Sequence, residues 1–128
     1  MTRAYFDSSA IVKLTLLERE SLALVDYLTD NEVEVSTSIV AEVEVIRALR
    51  RANVDFTVAL RGFFLLQLDV DICREAARLG SPTLRSIDAI HIATAVAIGE
   101  RDVEFVTYDD RMIATALDCG LKVVQPGR

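Results

Sequence analysis

Four carboxylates stand at positions where they could carry chemistry. Asp7 follows the strand-like segment RAYF, and Asp109 follows the strand-like segment VEFVT. Glu42 lies within the helical segment SIVAEVEVIRALRR, and Asp88 lies at the start of the apolar segment SIDAIHIATAVAIG. Because an ionised carboxylate is costly to bury without a partner, the acids that lie among apolar residues need an explanation.

Glu42 is the most informative of the four acids. Apolar residues lie three positions before it and four and seven positions after it, so on a helix they share its face. This spacing predicts that Glu42 points toward the core, whereas Glu44 is predicted to point to solvent with Arg47 and Arg51. A buried ion pair with an arginine is the alternative explanation for Glu42.

Helix capping is the alternative explanation for the three aspartates. Asp7 and Asp109 each precede a predicted helix, where aspartate is a common N-cap. Asp88 lies in a first turn, where the helix dipole favours an acid and where Ser86 could serve as the cap. However, the helix of Asp88 is apolar almost all round, so we expect its first turn to be buried.

Alternating strands and helices must position these acids. Strands are predicted at residues 3–6, 33–36, 65–70, 103–107 and 121–124. Helices are predicted at residues 10–18, 21–28, 39–51, 56–64, 71–79, 86–98 and 110–119, with Thr37 and Ser38 capping the third. This order predicts an α/β fold with a parallel sheet and helices on both faces. Since ligands of such sheets bind beyond the carboxyl ends of the strands, we expect the four acids to meet at that rim.

An all-oxygen cluster of this kind predicts a hard metal ion. Four carboxylates without an evident cation repel one another unless a cation enters. Mg²⁺ or Mn²⁺ suits the oxygen donors better than zinc does, because His91 is the only histidine and no cysteine lies nearby. Such ions activate water in phosphodiester cleavage, so the residues predict a metal-dependent phosphoryl-transfer site. We interpret His91 itself as a packing residue with a satisfied hydrogen bond.

Composition narrows the class of protein. The 128 residues, 52% of them hydrophobic, predict one domain over residues 1–128 with a substantial core. The net charge of −6 argues against a broad basic surface, but not against an enzyme that meets phosphates through a metal. Without a signal-like or membrane-spanning apolar run, a cytoplasmic protein is predicted. Cys73 and Cys119 fit no metal pattern and are predicted to be buried free thiols.

Four motifs in order resemble those of the PIN-domain ribonucleases, and most closely the VapC toxins of bacterial and archaeal toxin–antitoxin pairs. The motifs are YFDSSAIVKL, TSIVAEVEVIRAL, RSIDAIHIATA, and FVTYDDRM followed by GLKVVQPG. The resemblance implies a three-layer α/β/α domain with strand order 3-2-1-4-5. It also implies Mg²⁺- or Mn²⁺-dependent cleavage of RNA, such as tRNA or rRNA loops, by metal-activated water that leaves 5′-phosphate and 3′-hydroxyl ends.

The resemblance also implies roles for individual residues of this sequence. The catalytic and metal-binding quartet becomes Asp7, Glu42, Asp88 and Asp109. The supporting residues become Ser8, Thr107 and Asp110, and whether Asp110 shares or replaces the role of Asp109 stays open. Arg85 and Arg111 flank two of the acids and are the first candidates for RNA contact. For Arg47, Arg50 and Arg51, solvation and helix-dipole complementation explain the charges as well as RNA contact does.

The resemblance implies two protein partners, a second copy of the chain and a cognate VapB-like antitoxin. The antitoxin would place its C-terminal segment in a hydrophobic groove and an arginine in the acid cluster. Residues 23–28 and 56–68 are apolar and lightly charged, so they are candidates for these contacts. Core packing is the alternative explanation for both segments.

Two alternative functions remain open from the sequence. A receiver-type phosphoacceptor domain also alternates strands and helices around an acidic Mg²⁺ site. It requires an acidic pair that closes the first strand and a lysine after the last, whereas serines follow Asp7 and Lys122 begins the last strand. A non-catalytic PIN-like scaffold is the second alternative, because the sequence does not establish that the four acids converge.

Overall fold

Five parallel strands form the central sheet of the computed structural model, which describes residues 2–99 and 101–128. The strands are β1 (Thr2–Phe6), β2 (Val33–Ser38), β3 (Phe64–Leu66), β4 (Glu104–Val106) and β5 (Lys122–Val124). They pair in the order β3-β2-β1-β4-β5, and every neighbouring pair is parallel. The predicted α/β class and the strand order implied by the resemblance are confirmed.

Helices cover both faces of the sheet. They are α1 (Ser8–Thr15), α2 (Ser21–Asp30), α3 (Val40–Arg51), α4 (Val70–Ala76), α5 (Ser86–Ala97) and α6 (Ile113–Asp118), and a 3₁₀ turn at Asp110–Met112 precedes α6. Successive side chains of a strand point to opposite faces. Accordingly, Phe6 packs with α1, α2 and α3, whereas Tyr5 packs with α5 and α6. The three predicted layers are therefore present.

Three predicted elements are wrong in detail. Thr37 and Ser38 both belong to β2 and are buried, and Ile39 takes the N-cap position of α3. Of the two predicted caps, only Ser38 serves the start of α3, where its hydroxyl accepts a hydrogen bond from the Val40 amide at 3.2 Å. Residues 57–62 form successive turns with hydrogen bonds between residues three apart, where a helix was predicted. Helix α4 begins at Val70 instead of residue 71, and Asp69 caps it, because the Asp69 side chain accepts a hydrogen bond from the amide of Ile72 at 2.8 Å.

The two cysteines are both free, but Cys73 is exposed and Cys119 is only partly buried. The prediction of two buried thiols is therefore wrong. Helix α4 buries Ile72 and Ala76, which lie one turn apart, and Cys73 falls outside that stripe. Within the described ranges, every helix is too short or too polar to cross a membrane.

Candidate active site

Asp7 lies at the carboxyl end of the central strand β1. Its buried carboxylate accepts hydrogen bonds from the hydroxyl of Ser9 at 2.6 Å, the hydroxyl of Thr107 at 2.5 Å and the amide of Ala10 at 3.0 Å. The amide bond caps α1, so capping accounts for only one of three donors. Burial raises the pKa of the Asp7 carboxyl, and the donors oppose that rise. Such an acid favours a nearby cation or a proton.

Thr107 connects Asp7 to Asp109 at the end of the neighbouring strand β4. The Thr107 hydroxyl donates to Asp7 and accepts a hydrogen bond from the amide of Asp109 at 3.0 Å. The Asp109 carboxylate accepts two bonds from the Arg111 guanidinium, at 2.9 and 2.8 Å, and one from the Arg111 amide at 3.1 Å. Hydrogen bonding from Arg111 holds the pKa of Asp109 below its usual value. Asp109 is therefore both a cap and part of the cluster.

Asp88 is buried in the first turn of α5, as predicted. The Arg85 Nε donates to Asp88 Oδ2 at 3.0 Å, and Arg85 Nη2 reaches Asp109 Oδ2 at 3.4 Å. Arg85 occupies the N-cap position of α5 and makes no side-chain capping bond, so Asp88 is not the cap of its helix. One guanidinium thus holds Asp88 and Asp109 together.

The glutamate that α3 contributes to this cluster is Glu44, whereas Glu42 is exposed. Glu44 Oε1 accepts a hydrogen bond from Ser8 Oγ at 2.6 Å and lies 2.7 Å from His91 Nε2. The prediction that Glu42 faces the core is therefore wrong. Its place in the proposed quartet passes to Glu44, which was predicted to be solvated.

The packing of α3 explains this difference. The residues that α3 buries are Ala41, Val45 and Leu49, so the contact face is shifted from the one that the larger apolar residues suggested. Glu44 lies three positions after the fully buried Ala41, which places it beside that face. Ala41, rather than a bulky apolar residue, is the sequence signal for the side of α3 on which Glu44 lies.

His91 connects Glu44 to the core of the sheet. The Tyr5 hydroxyl lies 2.6 Å from His91 Nδ1 and accepts a hydrogen bond from the Ser38 amide at 3.1 Å. In the neutral imidazole with its proton on Nε2, the Tyr5 hydroxyl donates to Nδ1 and Nε2–H donates to Glu44. Although burial acts to raise it, hydrogen bonds from His91 and Ser8 hold the pKa of Glu44 below its usual value. His91 is buried and hydrogen-bonded, as predicted, but Tyr5 had no sequence signal beyond that of a core aromatic.

Asp110 points away from the acid cluster. It accepts hydrogen bonds from Gln125 Nε2 at 3.0 Å and from Arg128 Nη1 at 3.3 Å, both in the C-terminal segment. The structure therefore brings Asp109, and not Asp110, to Arg85 and Arg111.

The acid cluster offers oxygen donors to a hard divalent cation. Among the side chains of residues 2–99 and 101–128, no three of His, Cys, Asp or Glu converge closely enough to hold a metal. The available donors are carboxylate and hydroxyl oxygens, which suit Mg²⁺ or Mn²⁺. The cationic partners of Asp88 and Asp109 have exposed side chains, 59% for Arg85 and 64% for Arg111. Because both guanidinium groups have solvent beside them, they can move away from Asp88 and Asp109, and the oxygen donors that remain fit a cation chemically.

The strand order and the acids at the carboxyl rim define a class of protein. A sequence model of the PIN domain matches residues 4–117, and the chain belongs to that family. Within the family it is similar to Ribonuclease VapC46 of Mycobacterium tuberculosis, with 41% identity over 130 residues that cover 98% of this chain and 99% of the relative. It is also 39% identical to Ribonuclease VapC35 of the same species over 131 residues, 97% of each chain. The family placement is thus supported along the whole chain.

Solved structures share this fold at lower identity. A toxin–antitoxin complex from Klebsiella pneumoniae aligns with a TM-score of 0.73 and 22% identity, covering 96% of this chain and 97% of that chain. The sarcin–ricin loop cleaving toxin VapC20 of Mycobacterium tuberculosis aligns with a TM-score of 0.70 and 16% identity, covering 87% and 93%. Both comparisons confirm the PIN-like architecture.

Proposed function

We propose that this protein is a Mg²⁺- or Mn²⁺-dependent endoribonuclease, the VapC-type toxin of a toxin–antitoxin pair. The observation that carries the proposal is a hydrogen-bonded set of acids at the carboxyl rim of the sheet. Asp7 and Asp109 share Thr107, Asp88 and Asp109 share Arg85, and Glu44 contacts Ser8 and His91 beside them. The acids are Asp7, Glu44, Asp88 and Asp109. The proposal is supported by relatives that are named ribonucleases and align along 97% or more of this chain.

The four acids would have separate tasks. Asp7, Asp88 and Asp109 would hold the cation. When bound, the ion supplies Lewis acidity that withdraws charge from the scissile phosphate. Glu44, kept ionised by Ser8 and His91, is placed to accept a proton from the attacking water.

The reaction is a hydrolysis of one phosphodiester bond. A water oxygen bonds to phosphorus, the bond from phosphorus to the 3′-oxygen breaks, and that oxygen takes a proton. The products carry 5′-phosphate and 3′-hydroxyl ends. Arg85 and Arg111, once released from Asp88 and Asp109, would lie beside the charge that develops on the phosphate.

An antitoxin and a second copy of the chain are the proposed protein partners. The likeness to a toxin–antitoxin complex supports an antitoxin partner. Exposed apolar side chains lie on the two segments that the sequence suggested for such contacts: Val25 on α2, and Phe56, Val58 and Phe64 near β3. Their exposure is consistent with protein contacts at these segments.

A matched pair of variants tests the proposed activity. Glu44→Gln and Glu42→Gln make the same change of charge two positions apart on α3. We expect Glu44→Gln to lower the rate of cleavage by about 100-fold or more, because the ionised carboxylate is lost. Glu42→Gln should stay within about twofold of the parent because this side chain is exposed and outside the cluster.

The measurement is cleavage of a labelled RNA in Mg²⁺ and in Mn²⁺, with EDTA as the metal-free control. Cleavage that persists in EDTA, or equal rates for the two variants, would remove the acid cluster from the mechanism.

Expression in a bacterial host should slow growth, and Asp7→Asn should relieve that effect. A protein that neither cleaves RNA nor slows growth would be a non-catalytic scaffold.

The receiver-type alternative has no support in the structure. A receiver-type domain requires a lysine that directly follows the last strand and reaches the acidic site. Lys122 instead begins β5 and pairs with Glu104 Oε2 at 3.3 Å, at the amino ends of β5 and β4. These ends form the opposite rim of the sheet.

A further inference from the structure

A groove of about 560 Å³ opens beside the acid cluster, between α1 and α3. Ser8 and Glu44, which belong to the cluster, also line this groove. The remaining wall of α3 includes Arg47 and Arg51. The groove is therefore continuous with the site where cleavage is proposed.

One face of α3 runs along the groove. Arg47 and Arg51 lie three and seven positions after Glu44, so all three side chains project from the same face. At 1.5 Å per residue, the two arginines lie about 5 and 10 Å farther along the helix axis. They form a line of positive charge that leads away from the acid.

The cations of this groove differ in their pairing. Lys13 is bonded to Glu18 at 2.6 Å and to Glu20 at 2.8 Å, and Arg128 contacts Asp110 at 3.3 Å. Arg47 and Arg51 are exposed and make neither an ion pair nor a hydrogen bond with any residue that the structure describes. A protein of net charge −6 thus keeps two uncompensated cations beside its acid site. This arrangement favours an anionic ligand.

We propose that Arg47 and Arg51 bind backbone phosphates of a single RNA strand that lies in the groove and enters the acid site past Glu44. This inference rests on the proposed function and names the path of its substrate. We call Arg47 and Arg51 together the arginine track. Because phosphate contacts position a strand without reading its sequence, the arginine track would contribute to the affinity for RNA and to the position of the strand in the groove. Arg85 and Arg111, the first RNA candidates by sequence, are instead paired with acids in this structure.

Salt-dependent binding tests the track. The probe is a fluorescently labelled single-stranded RNA of 12 nucleotides, and its anisotropy is measured in EDTA so that binding is separated from cleavage. We expect Arg47→Gln and Arg51→Gln each to weaken binding. Each should also reduce the slope of log K against log salt concentration by about 0.7, the value for one phosphate contact on a single strand. The double variant should reduce it by about 1.4.

Arg74→Gln is the matched control. It makes the same change of charge at an exposed position of α4, which packs on α5 at the other face of the sheet. Its slope should equal that of the parent. The track is overturned if the groove variants keep the parent slope, if Arg74→Gln changes it equally, or if the parent fails to bind the RNA at 50 mM salt.

Two further outcomes separate this inference from the proposed function. If Arg47→Gln and Arg51→Gln bind the RNA normally while Glu44→Gln abolishes cleavage, the proposed nuclease function is supported and the arginine track is contradicted. If Arg47→Gln and Arg51→Gln lose RNA binding but neither the parent nor any variant cleaves RNA in Mg²⁺ or Mn²⁺, the arginine track is supported and the nuclease function is contradicted. If a labelled poly-glutamate peptide binds as tightly as RNA and depends on both arginines, the groove is a docking site for an acidic protein segment, which overturns the RNA assignment.

Discussion

Glu44 is held by two donors that approach it from different elements. Ser8 comes from the first turn of α1, and His91 comes from the middle of α5. The hydroxyl of Tyr5 fixes which nitrogen of His91 carries the proton toward Glu44. A buried core aromatic thus sets the orientation of a half-buried acid through one imidazole.

Substitution of His91 tests this positioning role. We expect His91→Leu to lower kcat for RNA cleavage by about 10–100-fold, because a ligand-orienting contact is lost. His91→Gln should recover most of the rate, since its amide can donate from a similar place. The comparison requires kcat, KM and the thermal midpoint of both variants. Equal losses in two stably folded variants would contradict the positioning role.

The aspartates were easier to predict than the glutamate for a physical reason. Asp7 and Asp109 directly follow strands, and Asp88 opens a helix, so their places depend on element boundaries. The place of Glu44 depends on which face of α3 is buried, and that face includes the small residue Ala41 together with Val45 and Leu49. Bulky apolar residues dominate a hydrophobic pattern even where a small residue such as Ala41 marks the edge of the buried face.

At the scale of elements, the segment from α4 to α5 turns at Gly80. This residue has φ +65°, and a Cβ placed there would lie 2.7 Å from Thr115 Oγ1 of α6. Gly62 also has a positive φ, +89°, but an added Cβ there would meet nothing within 4 Å. The two glycines therefore share the backbone requirement and differ in the space around them.

Alanine substitutions separate these two effects. Gly62→Ala should lower the free energy of unfolding by about 1 kcal/mol, the usual strain of a left-handed residue. Gly80→Ala should lower it by about 2–4 kcal/mol, because displacement of Thr115 is added. Chemical denaturation of both variants measures the difference. Equal losses would show that Thr115 moves aside freely.

Elements with clear polar flanks could be predicted from the sequence, and the segment before β3 could not. The runs that became β1, β2, β4 and β5 are apolar and bounded by caps or turns. The apolar residues of segment 57–62 are typical of a helix. The segment instead folds into turns that place Phe63 against Phe6, with ring centroids 5.4 Å apart. That contact joins two distant parts of the chain, and no local pattern reveals it.

At the scale of the whole molecule, two of the three tyrosines, Tyr5 and Tyr108, are buried, and Tyr27 is half-buried. Burial raises the pKa of Tyr108 to about 12 and raises the pKa values of Tyr5 and Tyr27 further. Hydrogen bonding to the carboxylate of Glu104 adds to the rise at Tyr27. The folded protein thus keeps phenolic protons that the unfolded chain loses near pH 10.

Alkaline titration tests this property. A raised acid pKa leaves stability unchanged below about pH 10 and lowers it progressively as the pH rises toward 12. We expect tyrosinate absorbance to appear together with loss of the circular dichroism of the fold. Tyr108→Phe should remove about a third of the absorbance change, since one of three tyrosines is gone. Tyrosinate formation near pH 10 in a protein that stays folded would contradict the prediction.

The hydrogen bond between Asp7 and Thr107 joins residues 100 positions apart. At about 5–20 residues per second, a ribosome needs about 5–20 s to add that stretch of chain. During this interval the first acid has been made, but the strand that completes its surroundings has not. The cluster can form only after Thr107 has been made and has joined Asp7.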